Sequence, residues 1–138
     1  MYLSNYIIKN KADYYRLLQE VRTKDNWEEW ILYMLDGVEQ TSLDTISLVN
    51  DISTLMNQTK HEIKEKLPKI HSKDLIEILF YHPYTKIDFL VDGLGLHRET
   101  ASKYLKEIES IGILKSIKIG RGKYFINVKL FDRLRKGI

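Results

Sequence analysis

The sequence predicts a mainly α, α+β protein: an N-terminal helical segment joined by a long helix to a helix–turn–helix domain with a two-stranded wing. Three observations lead there. Apolar residues recur at helical spacing through most of residues 11–67. A short helical stretch, the Gly93-Leu-Gly-Leu96 turn and a basic amphipathic stretch follow one another between residues 85 and 110. Directly after them, Ile113–Ile119 alternates apolar and polar up to Gly120-Arg121-Gly122, a hairpin signal with cations at its tip. This order is that of a winged helix–turn–helix, whose second helix and wing are shaped to meet nucleic acid.

Each element has its own signals. Met1–Ile8 is apolar and aromatic and reads as a helix or packed segment. Lys11–Arg22 places Tyr14, Leu17, Leu18 and Val21 on one helical face. Asn26 suits an N-cap, with Glu29 as its capping-box partner, for a helix running to about Glu39. That helix is expected to bury Trp27 or Trp30 with Ile31, Met34, Leu35 and Val38, and to end near Gly37. Thr41 or Ser42 then caps a third helix to about Lys66, striped by Leu43, Ile46, Val49, Ile52, Met56, Ile63 and Leu67. Val49, Ile52, Met56, Thr59 and Ile63 fall near coiled-coil spacing, so residues 42–66 suit a homodimer contact as well as the chain's own core. Pro68 ends the stripe and marks the expected boundary between a helical region, 1–67, and the winged domain, 68–138.

In the second region Ser72 caps a helix through Phe80, with Leu75, Ile76 and Leu79 inward. Thr85 and Asp88 look like a cap and its partner for a short helix burying Ile87, Leu90 and Val91. His97 occupies the N-cap position of the next helix, which buries Ala101, Leu105 and Ile108 and stops at Gly112. Tyr124–Val128 is the returning strand, and Lys129–Lys136 a short basic helix.

Composition narrows the function. With 43% apolar and 11% aromatic residues, the 138-residue chain can bury a core. It has no cysteine, which removes disulfides, thiol catalysis and cysteine-ligated zinc. The opening residues lack a signal-peptide layout and no apolar run reaches membrane-spanning length, so a cytoplasmic protein without a membrane partner is expected. The net charge of +3 hides a split. Residues 1–68 carry 8 Lys/Arg against 11 Asp/Glu, and residues 69–138 carry 14 against 8. A half with a net charge of +6 attracts polyanions.

Double-stranded DNA is the expected partner of that half. Arg98, Thr100, Ser102, Lys103 and Lys106 lie on or beside the outward side of the second helix, and Arg121 and Lys123 at the wing. Arg98 and Ser102 suit base edges, and Lys103 and Lys106 suit phosphates. Glu99, Glu107 and Glu109 oppose this reading if they face phosphate. Nothing comparable supports catalysis. His61, His71, His82 and His97 show no zinc-type spacing, no Gly-x-Ser-x-Gly turn holds a nucleophile, and there is no Walker loop. No catalytic, metal or cofactor residue is therefore assigned. Tyr14, Tyr15, Trp27 and Trp30 read as core at helical spacing, rather than as a stacking platform.

Residues 2–40 add a resemblance. Tyr2-Leu-Ser-Asn-Tyr-Ile-Ile-Lys-Asn-Lys, Asp13-Tyr-Tyr-Arg-Leu-Leu-Gln-Glu-Val-Arg and Asn26-Trp-Glu-Glu-Trp-Ile-Leu-Tyr-Met-Leu-Asp-Gly-Val closely resemble the segment that follows the active-site loop in Fic-family proteins. Many members of that family transfer AMP from ATP to a hydroxyl side chain of a target protein, and often carry a winged helix after the Fic fold. The resemblance implies a C-terminal portion of such a nucleotidyltransferase. Its partners would be the preceding Fic region or a protein target, and ATP and Mg would belong only to the full-length family. The motif His-Pro-Phe-x-Asp-Gly-Asn-Gly-Arg has no match here. His82-Pro83-Tyr84 echoes its first letters, but Thr-Lys-Ile-Asp-Phe-Leu follows. The inhibitory Ser/Thr-x-x-x-Glu helix of some members has no counterpart in residues 41–60. The rival expectations are a free-standing transcriptional regulator with a helical dimerisation domain, and a winged helix that docks protein.

Overall fold

The computed structural model describes residues 3–137; Met1 and Tyr2 of the expected first segment, and Ile138, lie outside the described residues. In chain order come α1 (Leu3–Lys9), α2 (Lys11–Lys24), α3 (Trp27–Lys66), α4 (Lys73–Tyr81) and β1 (Tyr84–Thr85). They are followed by α5 (Ile87–Leu94), α6 (Arg98–Ser110), β2 (Leu114–Ile119), β3 (Gly122–Asn127) and α7 (Val128–Arg135). The chain packs as two compact units, residues 3–49 and Asn50–Gly137, and the division falls inside α3. No helix among the described residues is long and apolar enough to cross a membrane.

The first unit is held by rings. Tyr33 is 7% exposed and its hydroxyl donates to the Asn10 carbonyl at 3.3 Å. Around it lie Tyr6 at 5.3 Å between centroids, and Trp30, which stacks at 6.4 Å and itself meets Tyr14 at 5.5 Å. Tyr14 and Trp30 are half-buried against Tyr33, partly as their spacing suggested, whereas Tyr15 and Trp27 are exposed. Between α2 and α3 the chain turns at Asp25, left-handed with φ 56°. The Asn26 amide donates to Glu20 at 3.3 Å, and Glu29, expected to turn back on Asn26, lies 3.7 Å from Arg16.

The largest departure from expectation is α3, one helix of 40 residues with no break at Gly37–Ser42. Gly37 is a contact glycine there. A Cβ on it would stand 2.6 Å from Tyr6 Cδ1 and 2.9 Å from Leu3 Cδ1, so its bare backbone lets α1 lie against α3. Thr41, read as a cap, is buried mid-helix, and its carbonyl accepts from the Thr45 hydroxyl at 2.8 Å. The buried side runs through Tyr33, Gly37 and Thr41, with Trp30 and Met34 beside it. The expected stripe is therefore turned outward over its first part, where Ile31, Leu35, Val38, Leu43, Ile46 and Val49 are 43–58% exposed, whereas Ile52 and Met56 are half-buried and Ile63 is buried as expected.

The second unit follows expectation closely. Ser72 caps α4, accepting from Leu75 N–H at 3.0 Å, and Leu75, Ile76 and Leu79 are buried. They join Ile63 of α3, Leu90, Ala101, Leu105, Ile108 and Phe125 in one core. Thr85 is not a helix cap: it pairs with Phe125, and Lys86 occupies the N-cap position without a side-chain bond. The expected hairpin is present, and β1 adds to it, giving an antiparallel sheet in the order β1-β3-β2. Buried Asn127 locks the sheet to the helices. Its amide donates to the Leu79 carbonyl at 3.0 Å, and its oxygen accepts from Leu130 N–H at 3.5 Å at the start of α7.

Candidate nucleic-acid interface

Helix α6 is set by the turn before it and the core beneath it. Gly95 ends α5 left-handed at φ 65°, a conformation that a Cβ disfavours. His97 then sits extended in the N-cap position, without a side-chain cap bond, and its carbonyl accepts from Ala101 N–H at 2.9 Å. Ala101, Leu105 and Ile108 are wholly buried, which fixes the rotation of the helix. The middle of the opposite side is then Glu99, Lys103, Lys106 and Ser110, all exposed. Thr100 and Ser102 are half-buried at its two margins. A shallow groove of ≈ 690 Å³ runs along this side, lined by Arg98, Ser102, Lys103 and Lys106 together with Ile87, Glu99, Glu107 and Ser110.

Arg98 is exposed but already engaged: its Nη1 meets the carboxylate of Asp88 in the first turn of α5. Residue spacing along one helix could not show a contact between two. Lys103, Lys106 and Arg121 have no ion pair among the described residues. Arg121 stands at the hairpin tip, where Ile119 faces Gly122 and Gly120 takes φ 60°. Glycine at the first central position of a two-residue hairpin loop is the type II′ preference. Lys123 lies with its Nζ 5.3 Å from the Phe125 ring centroid, and opposite Lys118 across the hairpin.

Sequence reasoning missed three participants. Lys118 is one; its signal was the period-2 register, which places it on the same sheet side as Lys123. A directly opposed like-charge pair disfavours the bare hairpin and favours a bound anion. Asp88 is the second. Glu109 is the third: its carboxylate accepts from Ser116 N–H of β2 and so ties the base of the hairpin to the end of α6. Those hydrogen bonds, with the nearby Lys123 charge, hold its carboxyl below the usual range against a smaller opposing effect of burial. The acid that looked like an obstacle to phosphate is thus turned onto the protein's own backbone.

His82, the echo of a catalytic histidine, is a packing residue: its ring stacks on Tyr84 at 5.4 Å and 14°. Comparison with protein families places the second unit. Residues 55–130, from the end of α3 into α7, match the C-terminal domain of the SoFic-like protein adenylyltransferases. The match spans more than half of the chain and covers α4, α5, α6 and the whole sheet. With the Fic-like words of residues 2–40 ahead of it, the chain belongs to the SoFic-like protein adenylyltransferase family and carries that family's C-terminal domain.

Proposed function

We propose that residues 50–137 bind double-stranded DNA through α6 and the β2–β3 hairpin, as a positioning or regulatory module of a cytoplasmic AMP-transferring protein. The observation that supports this best is the set of cations carried by two elements tied together through Glu109 and Ser116. Lys103 and Lys106 lie on α6, and Lys118, Arg121 and Lys123 on the hairpin. Lys103 and Lys106 meet phosphates, Arg98, Thr100 and Ser102 face base edges, and Arg121 and Lys123 meet the flanking backbone. AMP transfer belongs to a Fic-type catalytic region, because the sequence holds no Gly-Asn-Gly-Arg run. The outward apolar stripe of α3 is the surface on which such a region sits.

Titrating fluorescent duplexes with this chain over a series of salt concentrations tests the reading. Affinity is expected to fall steeply with salt, and Lys103→Ala to weaken every duplex alike while lowering the salt slope by about one. Salt-independent binding, or Lys103→Ala and Arg121→Ala both without effect, rejects it. One observation favours a protein partner instead. Arg98, Lys103 and Lys106 on α6 are matched in number by Glu99, Glu107 and Glu109, so the helix is formally neutral. A nuclease-resistant pull-down that survives high salt selects that alternative.

A further inference from the structure

Away from α6, the second unit presents a different chemistry. Between the second half of α4 and one side of α5 lies an open groove of ≈ 390 Å³, lined by Ile78, Tyr81, His82, Phe89, Asp92 and Gly93. Its rings are mutually braced. Tyr81 meets His82 edge-on at 4.8 Å, and His82 meets Phe89 at 5.8 Å. Tyr81 is nonetheless 80% exposed, so its ring is open to a ligand from solvent. Gly93 lies exposed at the groove's edge, and a Cβ there would stand 2.6 Å from Ile78 Cδ1, so the Ile78 side chain reaches across to the bare backbone of α5. Asp92 is exposed at the rim and makes no ion pair among the described residues.

Apolar floor, aromatic walls and one unpaired carboxylate suit an amphipathic cation. A methylene stem packs on Ile78 and the edge of Phe89, whose ring already has the Lys86 Nζ at 5.8 Å from its centroid, while the charged head meets the Tyr81 ring and the Asp92 carboxylate. The local charge agrees. Residues 72–92 carry Asp74, Glu77, Asp88 and Asp92 against Lys73 and Lys86. With Asp88 paired to Arg98 and Glu77 3.9 Å from Lys73, Asp92 is, among the described residues, the carboxylate that lines the groove without a cation. A guanidinium binds such a site better than an ammonium, because it is planar, weakly hydrated and able to stack.

We propose that this groove is a docking site for an arginine side chain of a partner polypeptide. The partner is a basic segment of a second protein, and the site does not depend on DNA binding by α6. The test uses the full chain labelled with ¹⁵N, titrated with a blocked Gly-Arg-Gly peptide and its neutral isostere Gly-citrulline-Gly. Saturable amide shifts at Tyr81, Phe89, Asp92 and Gly93 are expected for arginine up to about 20 mM, with about fivefold weaker binding of citrulline. Asp92→Asn, at an exposed position that leaves the spectrum elsewhere unchanged, should bring arginine down to the citrulline level. Equal shifts from both peptides, no saturable shift at these four amides, or an Asp92→Asn protein that binds arginine as before each overturns the proposal.

Discussion

Glu109 shows what a single side chain contributes here. Its carboxyl is held low by accepting hydrogen bonds from Ser116. A depressed folded pKa stabilises the protein above the unfolded value, and that stability drains away as pH falls through the folded value. Glu109→Gln is therefore expected to flatten the acid limb of the stability–pH curve while leaving stability near pH 2 unchanged. Denaturant melts of both proteins between pH 2 and 7 measure it. Asn127 is the second case. Buried, it bonds the Leu79 carbonyl and the Leu130 N–H at once, so Asn127→Ala strands both groups and should cost about 2–4 kcal/mol in urea unfolding. At Arg98 the Asp88 carboxylate already holds one edge of the guanidinium. Asp88→Ala should raise affinity for every duplex at low salt, a change that binding isotherms read directly.

At the scale of elements, α3 is the instructive one. Its apolar residues at 31, 35, 38, 46 and 49 were legible as a helical stripe, but the side chosen for burial was not. Helical spacing reports that an apolar face exists and is silent on which neighbour takes it. Here the rings of Tyr6, Tyr14 and Trp30 gather on Tyr33, and the tight approach at Gly37 rotates that side inward. Two predictions separate the sides. Leu35→Ser should change stability by less than about 0.5 kcal/mol, whereas Tyr33→Ala should cost about 3–5 kcal/mol, both by thermal or urea unfolding. Gly37→Ala should destabilise by about 1–3 kcal/mol although alanine favours helix, because its methyl would meet Tyr6. The α6–hairpin pair was read more fully, since Ala101, Leu105 and Ile108 on one side leave little choice about what lies opposite.

For the molecule as a whole, charge divides the chain in two. The first 68 residues are net acidic and the rest net basic, and even within the basic half α4 and α5 bear a local excess of carboxylates. DNA affinity should accordingly reside in residues 50–137. The Lys118→Ala/Lys123→Ala double variant should lose duplex affinity while its hairpin becomes no less stable, because a repulsive cross-strand pair has been removed. Binding isotherms and hydrogen exchange at the hairpin amides check the two halves of that statement.

Local chemistry was enough to read off the helices of the second unit, the Ser72 cap, the glycine turns at 95 and 112, the hairpin and the two-part charge. Each rests on neighbours a few residues away, where backbone geometry and side-chain periodicity speak for themselves. The unbroken run of α3, the strand role of Thr85, the Asp88–Arg98 and Glu109–Ser116 contacts and the aromatic groove at Asp92 came from packing. They join groups that lie on different elements, and no one-dimensional pattern records which surfaces approach closely enough to exclude a methyl group or form a hydrogen bond.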